Sequence, residues 1–278
     1  MRPARKTSRW TIILLTVALA CAEAPSQEMT WENYYAAGTR ALERGDYAEA
    51  ETQLKAALKE ASGFGLQDAR LTGTLDNLAR LYRAEGKFDE AETLYRRTLA
   101  ITEAALGPAH INIAASLNNL ALLLYTRGKY AEAGPLLERA LAITEKAIGP
   151  EHVDLAPRLS TLAQLYRIQR KYAEAETLLL RSLQIKEKAL GAEHSEVADA
   201  LDNLSALYYV QKKYAEAAPL LQRALAIREK TLGPEHLKVA ITLDNYANVL
   251  QRLKRTKEAT KLRVRAKAIW ANATRNKK

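Results

Sequence analysis

The sequence predicts an all-α solenoid of six helix-turn-helix units, and three observations carry that prediction. Phe88, Tyr130, Tyr172 and Tyr214 recur with a period of 42 residues. Gly65, Gly107, Gly149, Gly191 and Gly233 keep the same period, as do all four histidines, His110, His152, His194 and His236. Within each period, apolar residues fall three or four apart, the spacing of one helix face. A repeat of this length marks an array in which each unit buries its apolar face only against its neighbours. Such an array offers a binding surface sooner than a catalytic pocket.

The chain starts differently. Arg2, Arg5, Lys6 and Arg9 stand without an acid among them, ahead of the apolar stretch Trp10 to Ala20. Residues 1–21 therefore read as a secretory signal peptide, too short to cross a bilayer comfortably, and the mature chain is expected outside the cytoplasm. Val17-Ala18-Leu19-Ala20-Cys21 resembles a loose bacterial lipobox, which implies cleavage before Cys21 and acylation of that residue. Ala18 stands where the usual leucine would be, so ordinary cleavage after Ala20 or Ala22 is the alternative. Cys21 is the sole cysteine and has no disulfide partner within the chain. Residues 22–30 form a linker. Fully extended, Ala22 to Thr30 would hold the first helix within about 30 Å of a lipid anchor.

From residue 31 to 278 the units start near residues 31, 72, 114, 156, 198 and 240. The third shows the pattern most clearly. Leu117, Leu120, Ala121 and Leu124 lie on one face of a first helix; Tyr130, Ala133, Leu137, Ala140 and Leu141 lie on one face of a second. Gly128 sits between them, where a tight turn needs a residue free to take positive φ. Ile148-Gly149-Pro150 supplies a glycine C-cap and a proline that cannot continue the helix. Pro157 falls in the first turn of a first helix, where its missing N–H costs little. The terminal units depart from the pattern, with Asp68 in the histidine register, Thr256 in the aromatic register and Trp270 near the end. Caps must meet water on their outer faces, so this departure is expected.

Leu117-x-Asn119-Leu120-Ala121-x-x-Leu124, Gly128-x-Tyr130-x-x-Ala133 and Leu137-x-x-Ala140-Leu141 resemble the tetratricopeptide repeat. The long period and the Leu-Gly-Pro-Glu-His linker look like its kinesin light chain type. The resemblance runs from Trp31 onward and implies a right-handed superhelix that binds extended peptides in a concave groove lined by the first helices. A motor is not implied, because no heptad segment for pairing with one is present.

The groove positions this resemblance points to include Asn77, Asn119, Asn203 and Asn245, a ladder broken by Thr161. An amide both donates and accepts, so a ladder of them can hold a peptide backbone without selecting side chains. Asn is a poor mid-helix residue, and its recurrence calls for either ligand contact or packing between adjacent helices. Arg80, Arg83, Tyr125, Gln164, Arg167, Tyr209, Asn248 and Arg252 vary between units and would set ligand preference, together with Asp76, Asp202 and Asp244. Asp76 lies where a carboxylate-binding clamp would want a cation, which argues against such a clamp. The histidines are read as linker residues bonding loop carbonyls rather than as metal ligands, since helices 8 to 10 Å apart do not bring neighbouring imidazoles to about 2 Å of one ion.

Net charge is +10, unevenly spread: the signal carries +4 and Arg252 to Lys278 another +10, leaving the intervening array at −4. Lys254, Lys257, Lys261 and Arg265 recur at helical spacing opposite an apolar stripe of Leu262, Ala266 and Ile269. They read either as a solvated cap helix or as a surface for anionic lipid headgroups or another polyanion. Export and the lack of an aromatic stacking platform argue against nucleic acid. No G-x-S-x-G, G-x-x-x-x-G-K or H-E-x-x-H occurs, and Glu174 and Glu176 read as exposed helix face. The expectation is a non-enzymatic scaffold or adaptor of the bacterial cell envelope, periplasmic or lipid-anchored. It needs no cofactor and no metal, and its partner is a protein or peptide, with membrane-surface association through the basic unit as the alternative.

Overall fold

The computed structural model describes residues 30–65 and 68–275; residues 1–21, read above as a signal peptide, Cys21 among them, and nearly all of the expected linker lie outside these. Twelve α-helices and no strands form among the described residues. The first helices of the six units are α1 (Trp31–Arg44), α3 (Ala69–Ala84), α5 (Ile111–Thr126), α7 (Leu155–Ile168), α9 (Ser195–Val210) and α11 (Leu237–Arg252). The second helices are α2 (Tyr47–Ala61), α4 (Phe88–Leu106), α6 (Tyr130–Ile148), α8 (Tyr172–Leu190), α10 (Tyr214–Leu232) and α12 (Thr256–Arg275). Each helix packs chiefly on the one before and the one after, as a solenoid requires. The core is accordingly a chain of local clusters. Ala79, Ala91, Tyr95, Leu120, Leu124 and Leu137 join units two and three, and Ala217, Leu221, Ala247, Leu250 and Ala259 join the last two.

Both predicted breaks form. The turn within each unit closes with a bond from the backbone N–H of Asp46, Lys87, Lys129, Lys171, Lys213 or Arg255 to a carbonyl five residues back, at 2.8 or 2.9 Å. That closure needs a left-handed residue, and Gly86 and Gly128 supply it at φ 78° and 74°. Units four to six put Arg170, Lys212 and Lys254 there at φ 61°, 63° and 62°, a conformation that disfavours side chains. Between units, Gly107, Gly149, Gly191 and Gly233 cap the second helices, as expected.

The histidines differ from expectation in one respect. Their partners are amide N–H groups, not carbonyls. Nδ1 of His110, His152, His194 and His236 accepts from the backbone N–H of Asn112, Asp154, Glu196 and Lys238 at 3.1 to 3.3 Å. Each ring thus satisfies a donor that the start of a first helix leaves free. Asp68 does the same for Arg70 at 2.8 Å, which explains why Asp can replace His in that register.

A second device holds the second helices together. Arg139, Arg181, Arg223 and Arg265, again 42 apart, each pair with a glutamate of the preceding second helix, namely Glu103, Glu145, Glu187 and Glu229. Each also donates to a carbonyl of the preceding linker, at Pro108, Pro150, Ala192 and Pro234. Arg265 is therefore engaged between units and does not belong with the free lysines of the basic surface. Lys254, Lys257 and Lys261 are exposed and make no ion pair among the described residues.

Candidate peptide-binding groove

First helices of successive units touch directly, α1 with α3 and α7 with α9. They form the more closely spaced, inner side of the curve. The Asn ladder lies along this side, yet its four members have different surroundings. Asn77 is only 5% exposed; it donates to Thr39 Oγ1 at 3.2 Å and accepts from Arg80 at 3.0 Å. Asn119 is half-buried and directs its amide nitrogen at both carboxylate oxygens of Asp76, each 3.0 Å away. These two bind α1, α3 and α5 to one another. Asn203 is half-buried, Asn245 is exposed, and neither has a hydrogen-bond partner among the described residues.

Around the free pair the groove opens into two adjoining clefts. One, of 230 Å³, is bordered by Arg167, Ser205, Tyr209, Asn245 and Asn248, with Leu221 and Val249 as its apolar floor. The other, of 200 Å³, lies between Gln164, Arg167 and Asn203 over Leu179. Arg167 and Ala206 border both, so α7, α9 and α11 present one continuous surface. Tyr209 is set edge-on to Tyr214 at 5.4 Å and accepts from Arg252 Nε at 3.3 Å. Asn248 accepts from Arg263 at 3.0 Å. The side chains of Gln164 and Arg167 make no hydrogen bond among the described residues. Tyr125 repeats the edge-on contact with Tyr130 two units earlier. Arg83 is half-buried, its charge facing Asp76.

One set of inward-facing residues was not legible in the sequence. On the second helices, positions 102, 144, 186, 228 and 270 hold Thr, Thr, Lys, Arg and Trp. The first four are at most 8% exposed. Arg228 is gripped by Asp199, 2.5 Å from Nη2, and by Asp202 and Thr242. Lys186 reaches Glu196 of the next unit at 3.2 Å, and Trp270 Nε1 donates to Asp244 at 3.2 Å. Burial pushes the Asp202 carboxyl above its usual range despite Arg228, because it lies deeper than Asp199. For Asp199, burial is outweighed by Arg228 and Lys238, and the pKa falls. A cation recurring in a register that is otherwise core is the signal that could have revealed this position.

An inner face of successive first helices, backed by second helices that close the floor between them, defines an α-helical repeat protein. The tetratricopeptide-repeat profile matches residues 71–146, 112–188, 154–230 and 196–271, and a second profile of that description matches 35–72. The chain belongs to the tetratricopeptide-repeat family, and its repeats are of the kinesin light chain type. It is similar to a kinesin light chain-like protein of Podosopora anserina with nearly identical TPR-like repeats, at 30% identity over 73% of this chain and 96% of that one, TM-score 0.65. It is also similar to BtubC (BKLC) from P. vanneervenii, at 25% identity over 88% and 92% of the two chains, TM-score 0.67. PilW, a widely conserved type IV pilus biogenesis factor, shares the fold at 18% identity over 86% and 92%, TM-score 0.63. A comparison with curated proteins finds no match. Proteins of this family generally mediate protein–protein interaction, and the fold is typically a non-enzymatic scaffold.

Proposed function

We propose that this protein is an exported adaptor of the bacterial cell envelope that holds an extended segment of a partner protein along α7, α9 and α11. The observation carrying this reading is the pair of amides without a hydrogen-bond partner among the described residues, Asn203 and Asn245, on a continuous cleft that also bears Gln164 and Arg167. Each amide offers a donor and an acceptor to a peptide bond, and the side chains between them can set preference. The envelope assignment rests on the signal-like residues 1–21. The test is capture of partners from envelope extracts by residues 22–278 and by the Asn203→Ala/Asn245→Ala form. A protein recovered by the first and lost with the second is the expected outcome; equal recovery contradicts it.

A second reading, docking of the last unit on anionic envelope surfaces, is favoured by one observation. Lys254, Lys257 and Lys261 are exposed and unpaired among the described residues, and Val264, 63% exposed, lies one turn further on. Charge reversal at the three lysines should abolish sedimentation with anionic vesicles. Persistence of sedimentation removes this reading.

A further inference from the structure

The array contains its own template for a cation site, filled in two units and vacant in a third. Aspartate occupies one register of the first helices in units two, five and six, at Asp76, Asp202 and Asp244. In unit five the residue 26 positions later, Arg228, fills the space between α9 and α11 and meets Asp202. In unit six the same position is Trp270, whose Nε1–H meets Asp244. In unit two it is Thr102, too short to reach. The residues that surround the Arg228 guanidinium, Asp199, Asp202 and Thr242, correspond to Gly73, Asp76 and Ser116.

These counterparts border a cavity of 290 Å³ between α3 and α5, with α4 as its floor. Asp76 makes no ion pair among the described residues. It accepts only from the Asn119 amide, with the charges of Arg80 and Arg83 acting from nearby. Burial raises the Asp76 pKa above the usual carboxylate value in spite of those neighbours. An independent observation comes from Thr98, which lines the same cavity. It is 3% exposed, and its hydroxyl has no hydrogen-bond partner among the described residues. A buried hydroxyl and a half-buried carboxylate, both underused, cost stability unless a donor meets them. Ile101 and Leu106 add an apolar wall suited to an aliphatic stem beneath a charged head.

We propose that the cavity at Asp76 receives an arginine or lysine side chain of the bound peptide, which takes the place that Arg228 fills within unit five. The inference rests on the groove reading, extends the bound segment from α7 along the first helices to α5 and α3, and names part of the ligand's chemistry: a basic residue inserted between α3 and α5. Guanidinium suits the site better than ammonium, since it can serve Asp76 and the Thr98 or Ser116 hydroxyls together.

The test uses fluorescent Gly/Ser peptides of about 25 residues with a central Arg, Lys or citrulline, each arm long enough at about 3.3 Å per residue to run from the cavity to α11, titrated against residues 22–278, unaltered or carrying Asp76→Asn or Thr102→Arg. Citrulline keeps the shape of arginine without its charge. Asp76→Asn keeps the shape of the carboxylate, and Thr102→Arg fills the cavity as unit five does. The Arg peptide should bind about tenfold or more tightly than the citrulline peptide, the return for a charge-assisted pair in a partly buried site. Both variants should erase that preference, and their thermal melts verify that they are folded. Equal binding of Arg and citrulline peptides overturns the proposal, as does a preference that survives both variants or an Arg peptide that does not bind. Failure of the groove reading appears separately, as citrulline-peptide binding that is unchanged by Asn203→Ala/Asn245→Ala.

Discussion

The two ends of the groove use the same registers in opposite ways. In units two and three, Asn77 and Asn119 are bonded within the protein, while the space beside Asp76 is open. In units five and six, Asn203 and Asn245 are free, while the spaces beside Asp202 and Asp244 are filled by Arg228 and Trp270. A duplicated residue thus does not keep a duplicated role. What decides its role is whether the neighbouring unit presents a partner, since polar side chains in a partly buried face bond whatever donor or acceptor lies within reach.

The largest effect should come from breaking the filled end. Arg228→Ala would strand the deeper Asp202 without its cation and leave Asp199 only Lys238, and loss of one member of such a buried pair costs about 3 kcal/mol. Chemical denaturation would read this as a lower midpoint. Adding Asp202→Asn to Arg228→Ala should restore a sizeable part, because the double variant has no deeply buried carboxylate left to strand. No restoration would mean that Arg228 acts through packing instead.

Next in size are the backbone positions where the later units depart from the earlier ones. Lys212→Gly should stabilise by about 1 kcal/mol, the left-handed penalty of a side chain less the flexibility that glycine gives the unfolded chain. Gly128→Lys should lose a similar amount. Of comparable size, His194→Ala should cost about 1 kcal/mol through the lost helix cap, whereas His194→Asp should be close to neutral, since Asp68 already performs that role. Thermal melts would rank all four.

The smallest effect, and the one that sharpens the contrast most, is the pH dependence of Asp76→Asn. The folded carboxyl holds its proton more tightly than the unfolded one, because burial raises its pKa above 3.8. Ionisation at neutral pH therefore costs stability, and this cost disappears as pH falls through the raised pKa towards 3.8. The Asn variant should melt above the unaltered protein at pH 7, and the two should converge in acid. A difference that grows in acid would contradict the sign.

Much of the fold was legible because its breaks are local. Gly128, Gly149 and Pro150 act through their own backbone preferences, so sequence alone places the turn and the linker. The groove was less legible. Asn77 and Asn119 look identical in their own helices, and what separates them from Asn203 and Asn245 is a partner about one unit away, Thr39 or Asp76. Lys186 and Arg228 belong to second helices rich in Lys and Glu, where a cation reads as solvated surface. Their burial follows from the angle between neighbouring units, which no local pattern encodes. Arg265 illustrates the reverse. It looked like part of a basic surface, and its glutamate lies one unit back.

The most direct test of the account is the NMR response of the Asn side-chain amides to the citrulline peptide, which carries a peptide backbone but no side-chain charge. The account predicts that the Asn203 and Asn245 amide signals shift on titration while those of Asn77 and Asn119 stay in place. Shifts confined to Asn77 and Asn119, or no shift in any of the four, would contradict it.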